Sequence, residues 1–161
     1  MISEKEFIKI LKKHIDYNLD YWNPDKFNWE EHSWALCEHC SEYFNIWWDS
    51  DKFNWEDSSW ALCRYCSEHF DKWWDPDKFD WKYDIQDLCE HCSDYFDKWW
   101  DPDKFNWFKY KQELCKYCFD YIDKWVIDYI EYNYNDSATI LLQKLTPEKL
   151  KKLQIQLLLE K

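Results

Sequence analysis

Residues 33–48 read SWALCEHCSEYFNIWW, and close copies begin at Ser59, Ile85 and Lys111, each 26 residues further along the chain. Every copy carries a Cys-x-x-Cys pair and ends on Trp-Trp or Trp-Val. Regular repeats of about 20 to 50 residues are typical of solenoids, in which each unit buries its apolar face on its neighbours. The step therefore predicts an all-α fold, an αα-repeat solenoid of four 26-residue helix–turn–helix units with helical caps.

Two helices are predicted in each unit. At about 100° per residue, the apolar side chains of residues 33–48 share one half of a long helix, whereas Glu38, Glu42 and Asn45 occupy the other half. A shorter helix is predicted to begin at Asp75-Pro76-Asp77. A carboxylate caps a helix well there, and proline is favoured at the first helical position.

Three segments are predicted within a single domain. They are an N-terminal capping helix over 1–20, the four repeats over 21–125 and a C-terminal helical cap over 126–161. The last helix begins at Thr146-Pro147, and its leucine stripe either closes the solenoid or packs on a second copy in a homo-oligomer. The sequence shows neither a signal peptide nor the ~18-residue apolar stretch of a membrane span, which predicts a cytoplasmic protein without membrane contact.

The chain contains no glycine, and this excludes the glycine-rich loops that bind phosphates and dinucleotides. Tight β-hairpins are disfavoured for the same reason. The carboxylates recur as ladders and helix caps, and no Ser-His-Asp or Cys-His arrangement emerges. We therefore expect that the protein is not an enzyme.

The chain is acidic, with 33 Asp and Glu residues against 21 Lys and Arg and a formal net charge of −12. Direct nucleic-acid binding depends on clustered cationic groups, and Arg64 is the only arginine. The acidic field favours a basic protein partner. It also fits an inhibitor that mimics nucleic acid, which is an alternative function.

The eight cysteines are the candidate metal ligands. Both thiols of each pair are predicted to lie on the apolar side of the long helix. Two facing pairs could supply the four thiolates of a zinc or iron–sulfur site. The predicted sites are Cys37, Cys40, Cys63 and Cys66 for the first, and Cys89, Cys92, Cys115 and Cys118 for the second.

Several alternatives remain for these thiols. Thiolates that line a helical core also suit Cu(I), which would make the chain a metal-storage or metal-sensing protein. Cysteine is equally a small core residue that lets helices approach beside bulky tryptophans, in which case there is no cofactor. A disulfide between neighbouring repeats is a third option, with Cys40 near Cys63. A redox dithiol is disfavoured, because the pairs lie mid-helix in an acidic protein.

A partner-binding surface is predicted where the repeats differ most, at the turn into the long helix. The candidate residues are His32, Trp34, Ser58, Trp60, Tyr83 and Tyr110. A second candidate is an acidic ladder of Glu42, Glu68, Asp94 and Asp120, which a solvated face explains equally well.

The pattern F-N-W…L-C-x-x-C…F-D-x-W-W-D-P-D-K resembles Trp-rich tandem repeats of uncharacterised bacterial and viral open reading frames, over about residues 21–125. The architecture is also similar to short αα-repeats of the tetratricopeptide type, although the period is shorter and their Gly-containing signature is absent. Neither resemblance implies an activity. The sequence as a whole predicts a non-enzymatic scaffold for protein–protein interaction, with inward thiols that hold metal.

Overall fold

The structure is a computed structural model that describes Lys9, residues 23–132, Thr146 and Pro147. The predicted N-terminal capping helix, apart from Lys9, lies outside the described residues, as does most of the C-terminal cap. The described residues are predominantly helical and include no β-strand, which confirms the all-α class. Within those same residues, no helix is both long and apolar enough to cross a membrane.

The described residues form eight α-helices and four 3₁₀ turns. The α-helices are α1 (Trp29–Cys40), α2 (Phe44–Trp47), α3 (Trp55–Tyr65), α4 (Phe70–Trp73), α5 (Ile85–His91), α6 (Phe96–Trp99), α7 (Trp107–Tyr117) and α8 (Ile122–Tyr132). The 3₁₀ turns Ser41–Tyr43, Ser67–His69, Ser93–Tyr95 and Phe119–Tyr121 each join a longer helix to the next one.

The chain divides into two compact units, Met1–Tyr95 and Phe96–Lys161. In the first unit, α1 packs against α3 and α3 packs against α5, so the long helices of consecutive repeats are neighbours. In the second unit, α7 packs against α8. The boundary between the units falls inside the third repeat and differs from the predicted segment limits.

The long helix begins and ends earlier than the prediction of 33–48. It starts at Trp29 because the side chain of Asn28 caps it, accepting a hydrogen bond from the backbone N–H of Glu31 at 3.3 Å. It ends at Cys40, whose carbonyl oxygen accepts the indole N–H of Trp47 at 2.7 Å. The same indole bonds join Trp73 to Cys66 and Trp125 to Cys118. One predicted helix is therefore two helices with a 3₁₀ turn between them.

The short helix predicted from Asp75-Pro76-Asp77 is a turn. The Asp75 carboxylate accepts the backbone N–H of Asp77 at 3.0 Å, and its carbonyl accepts those of Lys78 and Phe79 at 3.2 and 3.0 Å. The capping signal was read correctly, but the chain leaves the turn at once, and the Asn cap of the long helix follows within one turn in the other repeats. In the third repeat Asp80 stands at that cap position and closes another turn, so α5 begins only at Ile85.

Stacked aromatic rings join consecutive repeats inside each unit. In the first unit Phe44 stacks on His69 and Phe70 on Tyr95, with ring centroids 4.6 and 4.5 Å apart. In the second unit Phe96 stacks on Tyr121 at 4.9 Å. Each such pair contributes about 0.5 to 1.5 kcal/mol beyond the apolar area it buries. The phenylalanines are fully buried, so this series of rings forms a continuous part of each core.

Candidate functional site: cysteine pairs and tryptophan surface

The cysteines lie in the core of the described residues. Seven are buried, Cys115 is half-buried, and none forms a disulfide. In the first unit each contact between repeats joins the second cysteine of one repeat to the first cysteine of the repeat before it. The Cys66 Sγ lies 4.0 Å from the carbonyl oxygen of Cys37, and the Cys92 Sγ lies 3.8 Å from that of Cys63. We call Cys37 with Cys66, and Cys63 with Cys92, the inter-repeat thiol pairs.

The inter-repeat thiol pairs are protonated at neutral pH. Burial raises the pKa of the Cys37 thiol well above its usual value, and the adjacent Cys66 thiol raises it further. Burial likewise raises the pKa of Cys63, with contributions from Cys92 and from nearby carboxylates. A reactive redox thiol needs the opposite shift, toward the thiolate. The pairs are therefore suited to packing, or to binding a metal strong enough to displace two protons.

The donor set of the described residues was tested against a metal site. No group of three or more His, Cys, Asp or Glu side chains within them is arranged to hold an ion. The facing thiols come two at a time from different Cys-x-x-Cys motifs, which matches a two-coordinate soft ion better than a four-coordinate zinc. The two predicted tetrathiolate sites stay predictions, and the second of them draws on residues of both units.

A buried carboxylate, Asp84, was missed by sequence reasoning. Its Oδ2 accepts the Ser59 hydroxyl at 2.5 Å and the Trp60 backbone N–H at 2.9 Å, and so it ties the start of α5 to α3. Burial raises the pKa of Asp84 to about 6, against the opposing effect of these two hydrogen bonds. The only signal in the sequence was an acid where the other repeats carry His32, Ser58 and Tyr110.

The predicted partner-binding residues do not all reach the surface. Tyr83 is 59% exposed, and His32, Trp34 and Trp60 are half-buried. Ser58 and Tyr110 are only 1% and 4% exposed, which corrects their assignment to a contact surface. The reason is the early helix start: at the fourth position of α3 and α7, these side chains point into the core rather than along a turn.

Trp34 and Trp60 occupy the same register of α1 and α3, two helices that pack against each other. Each indole N–H donates to the backbone carbonyl three residues earlier, at 3.2 and 3.0 Å. Exposed carboxylates surround them at the helix starts. We call the two tryptophans and these acids the tryptophan surface; the acids are Glu30, Glu31, Glu56 and Asp57.

The two tryptophans differ in what covers them. The Arg64 guanidinium carbon lies 5.6 Å from the Trp60 ring centroid, and its Nη2 donates to Asp87 at 3.1 Å. Burial raises the pKa of Asp87, and the Arg64 charge opposes that rise. In the first repeat, the residue equivalent to Arg64 is Glu38.

Comparison with known protein families, with characterised proteins and with solved structures finds no match for this chain. The function is therefore argued from the site alone.

Proposed function

We propose that the chain is a non-enzymatic scaffold that binds a protein partner through the tryptophan surface. The finer architecture, an αα-repeat solenoid of four 26-residue units with helical caps, belongs to this proposal. The observation that carries it is the pair Trp34 and Trp60, which stand half-buried at one register of two adjacent helices.

Two physical arguments support a partner at this surface. The other tryptophans at repeated positions, such as Trp47 and Trp73, are fully buried and complete the core, whereas Trp34 and Trp60 keep ring area in contact with water. Tryptophan is enriched among the residues that dominate protein–protein binding energies. The net charge of −12 and the acids beside both rings favour a basic partner over an acidic one.

The test compares affinity capture by three forms of the protein. One is unmodified, one carries Trp34→Ala with Trp60→Ala, and the control carries Glu42→Ala with Glu68→Ala, two exposed acids of the 3₁₀ turns. Far-UV circular dichroism first establishes that all three fold alike. We expect the tryptophan variant to lose a partner that the control retains. A partner set identical for all three forms refutes the proposal.

The acidic character also supports the second candidate, an inhibitor that mimics nucleic acid. The same capture distinguishes the two functions when it is repeated with added DNA. A partner that DNA displaces favours the mimic, because both would occupy one basic site. A partner indifferent to DNA favours the scaffold.

Metal binding by the inward thiols forms the last part of the proposal, supported by the inter-repeat thiol pairs. Elemental analysis of protein purified without chelator tests it. About two zinc or iron ions per chain fit closed tetrathiolate sites. Copper in proportion to the thiol pairs fits storage or sensing by Cu(I), and absence of bound metal leaves cysteine as a core residue.

A further inference from the structure

The second repeat already holds a cation on its tryptophan. Arg64 lies over the face of Trp60 at 5.6 Å and reaches the carboxylate of Asp87 at 3.1 Å. A guanidinium between an indole face and a carboxylate satisfies both its π face and its N–H groups. The chain itself thus shows which ligand this register of the repeat accepts.

The first repeat presents the same register without the cation. Trp34 matches Trp60, while Glu38 replaces Arg64. The Trp34 ring is held in place by its N–H bond to the Glu31 carbonyl at 3.2 Å and by an edge contact with His39 at 6.3 Å. The aromatic platform is therefore preorganised, and the group beside it carries the opposite charge from Arg64.

We propose that Trp34 is the docking site for an arginine side chain on a basic segment of the partner, which rests on the function proposed above. The guanidinium stacks on the Trp34 ring as Arg64 does on Trp60. The carboxylates that pair with it come from Glu30, Glu31 and Glu38, all of which are exposed on α1.

The charges around Trp34 decide the class of occupant. Three carboxylates on one side of α1 repel phosphate groups, and the net charge of −12 opposes docking of a second copy of this chain. An apolar segment would leave the carboxylates without counter-charges. Arginine is favoured over lysine, because a planar guanidinium stacks on an indole and binds a carboxylate at the same time, whereas an ammonium is a strongly hydrated point charge.

The test uses acetyl-Arg₄-amide as the probe and the full chain in low salt. Peptide binding is followed by the ¹H–¹⁵N signal of the Trp34 indole, assigned from its loss in Trp34→Phe. We expect that signal to shift on titration. The same peptide made with citrulline, which keeps the shape and removes the charge, should leave it unchanged.

Two substitutions at exposed positions make the test specific. Glu38→Arg supplies an internal guanidinium at the position that Arg64 occupies over Trp60, so it should weaken binding of the peptide at Trp34 about threefold to thirtyfold. Glu42→Arg makes the same charge change on the adjacent 3₁₀ turn and is the matched control, expected to weaken binding less than twofold. Conversely, Arg64→Gln uncovers Trp60 and should make its indole signal respond to the peptide.

The outcomes separate this inference from the function on which it rests. A Trp34 indole indifferent to the arginine peptide overturns the inference, and so does equal binding by Glu38→Arg and Glu42→Arg. Equal affinity for acetyl-Lys₄-amide also overturns it, since charge alone would then explain binding. If any of these occurs while Trp34→Ala with Trp60→Ala still loses a captured partner, the scaffold function stands and only the arginine site is wrong.

Discussion

Replacing the buried Asp84 with asparagine should make the protein more stable at neutral pH and leave it nearly unchanged in acid. Folding raises the pKa of Asp84 from 3.8 to about 6, because burial disfavours its charge. The folded protein thus holds this proton to higher pH than the unfolded chain does. The stability linked to the proton is complete below about pH 4 and is lost as the pH rises through about 6.

The magnitude follows from the same shift. Each pKa unit corresponds to about 1.4 kcal/mol, so a rise from 3.8 to about 6 sets an upper limit near 3 kcal/mol. Solvent screening lowers the expected effect to about 1 to 2 kcal/mol. The hydrogen bonds survive the substitution, because one oxygen of Asp84 accepts from both Ser59 and Trp60, and an amide oxygen can do the same.

Urea unfolding followed by circular dichroism at several values between about pH 4 and 8 measures the effect. The quantity to compare is the difference in unfolding free energy between Asp84→Asn and the unmodified protein, since all other titrations cancel in it. Asp103→Asn, at an exposed position, is the matched control and should show a flat difference. A flat difference for Asp84→Asn, or one that falls as the pH rises, would refute our account of Asp84.

Three other predictions concern packing, capping and thiol exposure. Phe70→Ala should cost about 3 to 5 kcal/mol of unfolding free energy in urea, because it removes a buried ring and its stack on Tyr95; a loss below about 1 kcal/mol would contradict that stack. Asn54→Ala should cost about 1 kcal/mol in the same assay, whereas Asn54→Asp keeps a capping oxygen and should cost less. A thiol reagent should label Cys115 of the native protein before the seven buried cysteines, and mass spectrometry of early peptides that found another site first would contradict the burial pattern.

The repeat step and the all-α class were predictable because both depend on periodicity, which one sequence displays in full. The helix limits were not. A helical projection of residues 33–48 shows one apolar half, but it cannot show that the indole of Trp47 takes the carbonyl of Cys40 and ends the helix there. The constant distance from the second cysteine of each repeat to this tryptophan was the available signal.

The candidate site was predictable only in part, for reasons that lie in tertiary structure. Trp34 and Trp60 stand out in sequence because they vary among repeats, and the structure leaves both half-buried. The facing of Cys37 with Cys66 depends on the register between two packed helices, which spacing along one helix does not contain. Asp84 was overlooked because its importance comes from Ser59, 25 residues away.

The contacts between repeats also bear on how the chain reaches its fold. Within the first unit, the side-chain bonds between repeats join residues 21 to 29 positions apart. Closing such a loop costs nearly the same entropy at each junction, and no step waits for distant parts of the chain. A low contact order of this kind is associated with rapid folding. Since each junction repeats the spacing of the one before, an in-frame duplication of 26 residues would preserve every pairing and lengthen the protein without a new fold.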